Sequence, residues 1–524
     1  MLVNSVKKSI NGSFVSFLLS IWKPLTFLFV IIVWAFANTS GHNWGGDFSQ
    51  YIHHAMNLID GKNYNDTGYI SNQFAYVGPP SYPPVLPFTL APLYALFGFN
   101  LFALKFVGIF AFIIAAYLAL SFDNKSLSSP YQFVFILILA FNPYYLEQKD
   151  EILSDYLFVL LSYITLIVLQ KRYVKNQQSV YIDTKNTNWV YAFLLGLLIY
   201  LTYETREVGL VLIPAILCFE LFHFRKITFV TIAALAFFVL LVNLQKELIQ
   251  PVENNTQRNE NISQLSAATA TGSGNTEVSN FDYINLGNIK TMAIFYLKSA
   301  WSIWPDSNEK IHIRIFSQVA IFIFYSFFIA GFIKALLVDR SLIEVFVLGY
   351  VSVVLLFGST QGLRYLMPII PLCFLYAFKF HQDLMQTKFR KIMMVIAVAF
   401  IGSTLISITS TTYNPRPERG ITGPEAKALF NFVKTSTTKE SVFVFDKPRV
   451  LALLTDRQAS SIPNTDDTDF LIRYMNAIGA NYYINSSIND DGWSLVLHEV
   501  KFDVSSFNLV FSNQYFQVYK LLKK

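Results

Sequence analysis

The sequence predicts a polytopic α-helical membrane protein with a small soluble α/β domain towards its C-terminal end. Three observations carry that expectation. The 524 residues are 53% hydrophobic and only 14% charged, with a mean hydropathy of +0.42, whereas soluble domains carry roughly 25% charged residues. Apolar runs long enough to cross hydrocarbon as a helix, ~20 residues each, recur as far as residue 411. From Asn414 onward short apolar and polar segments alternate instead.

About eleven stretches approach the spanning length. They are 20–39, 100–121, 130–146, 151–170, 188–203, 206–222, 227–247, 314–336, 341–360, 363–380 and 390–411. The first lacks a small-residue cleavage site and reads as a retained span. A helix over 48–59 follows it, and the proline-rich apolar segment 85–98 is too short to span and reads as an interfacial helix. With the N-terminus inside, basic clusters such as Lys7–Lys8 and Lys171–Arg172 fall in cytoplasmic loops, as does the group Lys388, Arg390 and Lys391. Only Lys62, Lys149, Arg206 and Arg364 fall in the short loops opposite. That is the positive-inside bias. An odd number of spans then leaves the C-terminus outside, and the expected location is the inner (plasma) membrane.

The expected division is 1–412 for the transmembrane domain, with extracytoplasmic loops 40–84 and 248–313, and 413–524 for the extracytoplasmic α/β domain. Within the second loop, 253–280 is polar and reads as mobile. Met292, Phe295, Tyr296, Trp301 and Trp304 suggest another interfacial helix. In the final domain, Asn414-Pro415-Arg416-Pro417 breaks any helix. A helix is expected over 424–434, a strand over 442–445 and a helix over 466–478, with strands over 482–484 and 514–521. Residues 451–454 fit either state. The domain has no phosphate loop, zinc spacing or nucleophile elbow, and no internal repeat is evident. The net charge of +6 is accounted for by loop lysines and arginines, so no nucleic-acid partner is expected. Cys218 and Cys373 both lie in apolar runs and suggest neither a disulfide nor a metal site.

Polar residues that could carry chemistry gather on the outside. Asp47 opens the first outer loop. It reads either as a helix N-cap or as a general base taking a proton from an acceptor hydroxyl. Asp150, Glu151 and Asp155 stand at the outer start of the fourth span, where the helix dipole favours acids. Glu151 and Asp155, four apart, share a helical face, and Asp155 lies deepest. Glu204, Arg206 and Glu207 form either an internal ion pair or, through the planar fork of Arg206, a phosphate site. Arg364, at the outer start of a late span, either snorkels or binds a lipid phosphate, and the second reading is favoured because it faces the same side as Asp47. Lys105 has the same two readings. A divalent metal stays open at His53 and His54, although His53 and Asp47 are poorly spaced to share one.

These features together resemble the GT-C class of membrane glycosyltransferases, in the branch of the protein O-mannosyltransferases and the lipid A aminoarabinose transferases. The resemblance rests on Gly46-Asp47-Phe48-Ser49-Gln50-Tyr51 after the first span, and on Ser81-Tyr82-Pro83-Pro84 leading to a helix that ends in Phe97-Gly98. It continues with Ser154-Asp155 and Arg364-Tyr365-Leu366-Met367-Pro368, and covers most of 20–411. It implies a polyprenyl-phosphate sugar donor, Asp47 as catalytic base and Asp155 as a second acidic site residue. Arg364 and Arg206 would engage the donor phosphate, with Tyr365, Glu151, Tyr82 and Lys105 as further substrate-binding candidates. Two departures stand out. Phe48 occupies the place of a second acid, and Val77-Gly78 and Ser81-Tyr82 stand where a Glu-Lys pair would precede the proline segment. A metal site and a phosphate lysine are therefore not carried over.

The same logic holds without the family name. A lipid-linked donor keeps its phosphate at headgroup level, where nearby cations stabilise the leaving charge, while the acceptor arrives from water and needs a base. A transporter would set ionisable residues near the bilayer midplane and often show repeated halves, which this sequence does not. A polysaccharide ligase or polymerase with a lipid-pyrophosphate donor is the nearer enzymatic rival, and a structural or receptor role for the outer domain is a third reading. The acceptor and the sugar are not legible.

Overall fold

A computed structural model of the chain describes residues 22–75, 77–122, 127–178, 189–249, 258, 263, 286–299, 311–356, 362–384, 420–465, 467–486, 489–490, 493–494 and 506–522. The expected span 390–411, the polar stretch 253–280 apart from residues 258 and 263, Trp301, Trp304 and the Asn414–Pro417 break lie outside these residues.

The apolar stretches within the described residues form helices. Five are long and apolar enough to cross a membrane: Leu101–Phe122, Asp155–Tyr173, Glu207–Phe224, Phe229–Glu247 and Ile321–Val338. Trp22–Phe36, Ser129–Ala140, Trp189–Tyr203 and Leu342–Leu356 are apolar but shorter. Among the described residues the expected count of about eleven full spans is therefore not confirmed. The stretch 130–146 divides, for example. Pro143 has no N–H to continue a helix, so one helix ends at Ala140 and a short one runs Pro143–Gln148, with the Asn142 side chain accepting from Tyr144 N. The expected 363–380 span likewise begins late. Arg364–Leu366 is a single 3-10 turn, and the helix proper is Ile370–Leu384.

Helices pack in neighbouring pairs: Phe229–Leu248 on Trp189–Tyr203, Ile311–Val338 on Ile370–Leu384, and Phe106–Ala119 on the helix Asp155–Gln178. Fully buried Trp34 donates from Nε1 to Ala140 O (2.8 Å) and stacks on Phe112, joining three of them. At the other end of the bundle from the acidic loops, buried Glu220 accepts from Thr228 N (2.7 Å), Thr231 Oγ1 (2.7 Å) and Tyr173 OH (3.1 Å). These hydrogen bonds offset the cost of burying the carboxyl group and close a helical hairpin.

The C-terminal residues form a five-stranded sheet. Its strands are β1 (Val442–Val444), β2 (Gln458–Ser460), β3 (Tyr482–Ser486), β6 (Phe507–Ser512) and β7 (Phe516–Leu521). A separate two-stranded ladder pairs β4 (Asn489–Asp490) with β5 (Trp493–Ser494). The sheet order is β2-β1-β3-β7-β6. β1 is parallel to β2 and β3, with Phe443 opposite Ala459 and Tyr482, while β7 is antiparallel to both β3 and β6. Helices Pro424–Ser436, Pro448–Thr455 and Thr468–Ile478 accompany it, so residues 451–454 are helical. β2 and β6 are not foreseen by the sequence pattern. Gln458-Ala459-Ser460 has no hydrophobic alternation to announce a strand.

The first loop is built into this sheet. Tyr69 bridges Ala459 in parallel fashion, with Ile70 N donating to Ala459 O (2.9 Å) and Ala459 N to Gly68 O (3.0 Å). Asn72 Nδ2 donates to Ser460 Oγ and Tyr474 OH. Trp44, 3% exposed, packs against Phe430, Phe445 and Phe516. Such mutual burial of aromatic rings makes a firm junction.

Candidate active site

The helix Asp47–Asp60 starts at Asp47, and its N-cap is Gly46, which makes no side-chain capping bond. The capping role therefore falls, and the Asp47 carboxylate is free to turn elsewhere. It accepts from Tyr82 OH at Oδ1 (2.8 Å) and from Arg449 Nη2 at the same oxygen (3.3 Å). Its Oδ2 faces Arg364 Nη1 at 3.7 Å. The Asp47 side chain keeps 29% of its surface exposed.

Asp155 opens its own helix and is buried at 3% exposure. It pairs with Arg206 Nη1 through Oδ1, and Oδ2 accepts from Arg364 Nη2 (3.1 Å) and Nε (3.3 Å). Arg364 thus bridges the two carboxylates. Arg206 lies just past the helix Trp189–Tyr203 and stacks over the Tyr365 ring at 5.4 Å. It is not paired with Glu204 or Glu207, because Glu204 is bound to Gln245 (2.8 Å). Of the two readings open there, the internal ion pair is replaced by one between helices. The structure therefore brings Asp47, Asp155, Arg206, Arg364, Tyr365 and Tyr82 together at one end of the bundle. Three guanidinium groups against two carboxylates leave the cluster one positive charge.

Two of the expected residues stand elsewhere. The helix of the expected fourth span begins at Asp155, not at 151, so Glu151 stays in the loop and does not share the helical face. Asn43 Nδ2 donates to its Oε1, and His42 Nε2 lies 3.5 Å from its Oε2. Burial pushes His42 down to about 3, helped by the charge of Lys105, and burial pushes Glu151 up to about 7. With His42 Nδ1 against Asn43 O and Nε2 accepting from Ile152 N, the imidazole is neutral and the contact is no salt bridge. Lys105 is buried at 1% exposure. Its ammonium donates to Thr39 O (3.0 Å), Thr39 Oγ1 (2.9 Å) and Gly41 O (2.6 Å), near Asp150. It ties down the start of the loop rather than joining the arginine cluster.

The residues present are a poor fit for a cation. Among the described residues no group of three or more His, Cys, Asp and Glu could hold a metal. Asp47 and Asp155 are already matched by guanidinium groups, which repel a divalent ion. His54, left open from sequence, uses Nδ1 on Tyr64 O (2.7 Å) and Nε2 on Tyr82 N (3.2 Å). A cavity of about 210 Å³ is lined by Tyr82 together with Tyr64, Pro84, Tyr203, Glu204 and Gln245.

Arg449 is the residue that sequence reasoning missed. It sits in the first turn of Pro448–Thr455, just past the carboxyl end of β1. Ligand sites of open α/β sheets lie outside the carboxyl ends of strands, and that was the available signal. Burial alone would lower the Arg449 guanidinium, but Tyr82 and Asp47 hold it above its ordinary value. Burial and the Asp47 charge push the Tyr82 phenol up, so it stays a donor.

No family model matches the sequence, and no curated relative matches it. Solved structures match its architecture. ArnT from Cupriavidus metallidurans in the apo state gives a TM-score of 0.56 at 10% identity, over 96% of this chain and 98% of that chain. The chain shares the GT-C fold. The same ArnT bound to undecaprenyl phosphate gives 0.53 at 11% identity, over 95% and 98%. The archaeal oligosaccharyltransferase AglB from Archaeoglobus fulgidus, in complex with an inhibitory peptide and a dolichol-phosphate, gives 0.56 at 10% identity, over 90% of this chain and 70% of that one. At such identities the likeness is one of architecture.

Proposed function

We propose that this chain is a multi-pass glycosyltransferase of the inner (plasma) membrane. It moves a sugar from a polyprenyl-phosphate donor to an acceptor on the extracytoplasmic face. The observation that carries the reading is the arginine–aspartate cluster: a net positive site at one end of an apolar bundle, with the Asp47 carboxylate partly open. The shared fold supports it, since ArnT is described bound to undecaprenyl phosphate and AglB with a dolichol-phosphate.

In this reading Arg206 and Arg364 face the donor phosphate, whose planar-fork recognition suits arginine. Asp47 takes the proton from the acceptor hydroxyl. The acceptor oxygen bonds to the anomeric carbon as the bond from that carbon to the phosphate oxygen breaks, and polyprenyl phosphate leaves with the electron pair. Guanidinium charge stabilises the phosphate in the transition state. One displacement inverts the anomeric configuration, which NMR of the product linkage tests. Residues 1–412 carry this chemistry, and 413–524 complete it from the same side. The decisive experiment is mass spectrometry of surface glycans and glycolipids from cells lacking the chain. A glycan ion should vanish, return with the wild-type gene and fail to return with Asp47→Ala. An unchanged profile removes the proposal.

A further inference from the structure

Asp47 has an asymmetric environment. Its Oδ1 accepts two hydrogen bonds, from Tyr82 OH (2.8 Å) and Arg449 Nη2 (3.3 Å). Among the described residues its Oδ2 has only Arg364 Nη1 at 3.7 Å, beyond hydrogen-bond length. A carboxylate has lone pairs on both oxygens, so filling one fixes its rotation and reserves the other. We infer that Arg449, brought by the C-terminal sheet, is a positioning residue that holds Oδ1 of Asp47 and leaves Oδ2 to receive the acceptor proton. The inference rests on the transferase reading above.

Arg449 is itself held through both terminal nitrogens. Nη1 donates to Tyr82 OH (2.8 Å) and Nη2 to Val77 O (2.9 Å), and the guanidinium lies over the rings of Tyr82 and Tyr69. The backbone makes room for it. A Cβ at Gly46 would fall 2.7 Å from Nη2, and one at Gly78 3.0 Å from Nη1, where φ is +143°. The Nε–H is buried without a partner among the described residues. A residue kept only for stability would not sit well there, because an unpaired buried donor is costly. The planar fork reaches Tyr82, Asp47 and Val77 at once, which a lysine ammonium cannot do. Both terminal nitrogens are committed and the side chain is only 5% exposed, so Arg449 does not hold the donor phosphate. That task stays with the arginines around Asp155.

The test uses the full-length chain with undecaprenyl phosphate as the binding probe, and the glycan ion lost from cells lacking the chain as the product readout. A misplacement of about 1 Å at a reacting group costs roughly 100-fold in rate. Arg449→Ala should therefore lower product about 100-fold while leaving undecaprenyl phosphate affinity near wild type. Arg364→Ala should weaken that affinity by at least ~10-fold, the loss of one good contact. Arg449→Lys should recover only part of the product, and added guanidinium should partly rescue Arg449→Ala. Gly46→Ala keeps every charge but pushes the fork aside, so it should reproduce Arg449→Ala even if the latter folds poorly. Loss of lipid affinity in Arg449→Ala to the extent of Arg364→Ala overturns the inference, as does wild-type product from Arg449→Ala or Gly46→Ala. If Asp47→Asn also keeps full product, the transferase reading falls with it; if Asp47→Asn is inactive, the inference falls alone.

Discussion

Removing the charge of Asp155 should cost far more stability than removing that of Asp47. Asp155 is 3% exposed and lies between Arg206 and Arg364, whose side chains are 15% and 22% exposed. In Asp155→Asn those two guanidinium groups face each other, and among the described residues Asp47, 3.7 Å from Arg364, is the carboxylate left to offset them. Breaking a buried pair by deleting one partner costs about 3–5 kcal/mol. The new amide oxygen still accepts from one arginine, which favours the lower end, about 3 kcal/mol. That is a factor of roughly 150 in the folded-to-unfolded ratio. Asp47→Asn differs. Both donors to Asp47 meet Oδ1, so an amide oxygen can replace it, and the carboxylate is 29% exposed. The expected cost is about 1 kcal/mol or less, although product formation should stop. Denaturation of both purified variants, followed by tryptophan fluorescence, measures the difference. Equal stabilities, or Asp47→Asn the weaker, would falsify the assignment of Asp155 as the buried keystone of the cluster.

Three further outcomes follow from other parts of the structure. Glu151 is raised from 4.5 to about 7 by burial, so the folded state holds its proton more tightly than the unfolded chain. Its contribution to stability is full below about pH 4.5 and is lost as pH rises through about 7, amounting to at most about 3 kcal/mol. Glu151→Gln should flatten that loss in melting curves taken across the interval, and an unaltered pH profile would count against the buried acid. Trp44→Ala empties a site shared with Phe430, Phe445 and Phe516, at about 3–5 kcal/mol. Protease should then cut within 413–524 much faster than in wild type, and unchanged digestion would contradict the junction. Lys105→Met should destabilise the chain by about 3 kcal/mol yet leave undecaprenyl phosphate affinity unaltered. Weaker lipid binding would return Lys105 to the phosphate site.

The helical architecture was legible because hydrophobic run length is a direct physical requirement of the bilayer. Helix ends were less so. Glu151 and Asp155 were expected on one face, but the helix starts only at Asp155, and the intervening turn sends Glu151 to His42 and Asn43. Asp47, Asp155 and Arg364 were expected on a common side, which brings loop residues within reach of one another without fixing which of them meet. The choice of partners was not. Lys105 and Arg206 were equally ambiguous in sequence, yet one is spent on loop carbonyls and the other faces Asp155. The place of Arg449 past the carboxyl end of β1 was a signal for a site, but its contact with Asp47 spans 402 positions, and no local pattern encodes so distant a pairing. The edge bridge between Tyr69 and Ala459 escaped notice for the same reason.

That bridge has a bearing on biosynthesis. During translation the opening loop emerges long before the stretch that will clasp it, and until Ala459 arrives the backbone of Tyr69 and Ile70 has no strand to join. Contacts so far apart along the chain form late. A nascent protein halted midway would therefore sit in the bilayer with an aspartate lacking its guanidinium clamp. On the transferase reading proposed above, a half-made copy would lack the group that orients its base.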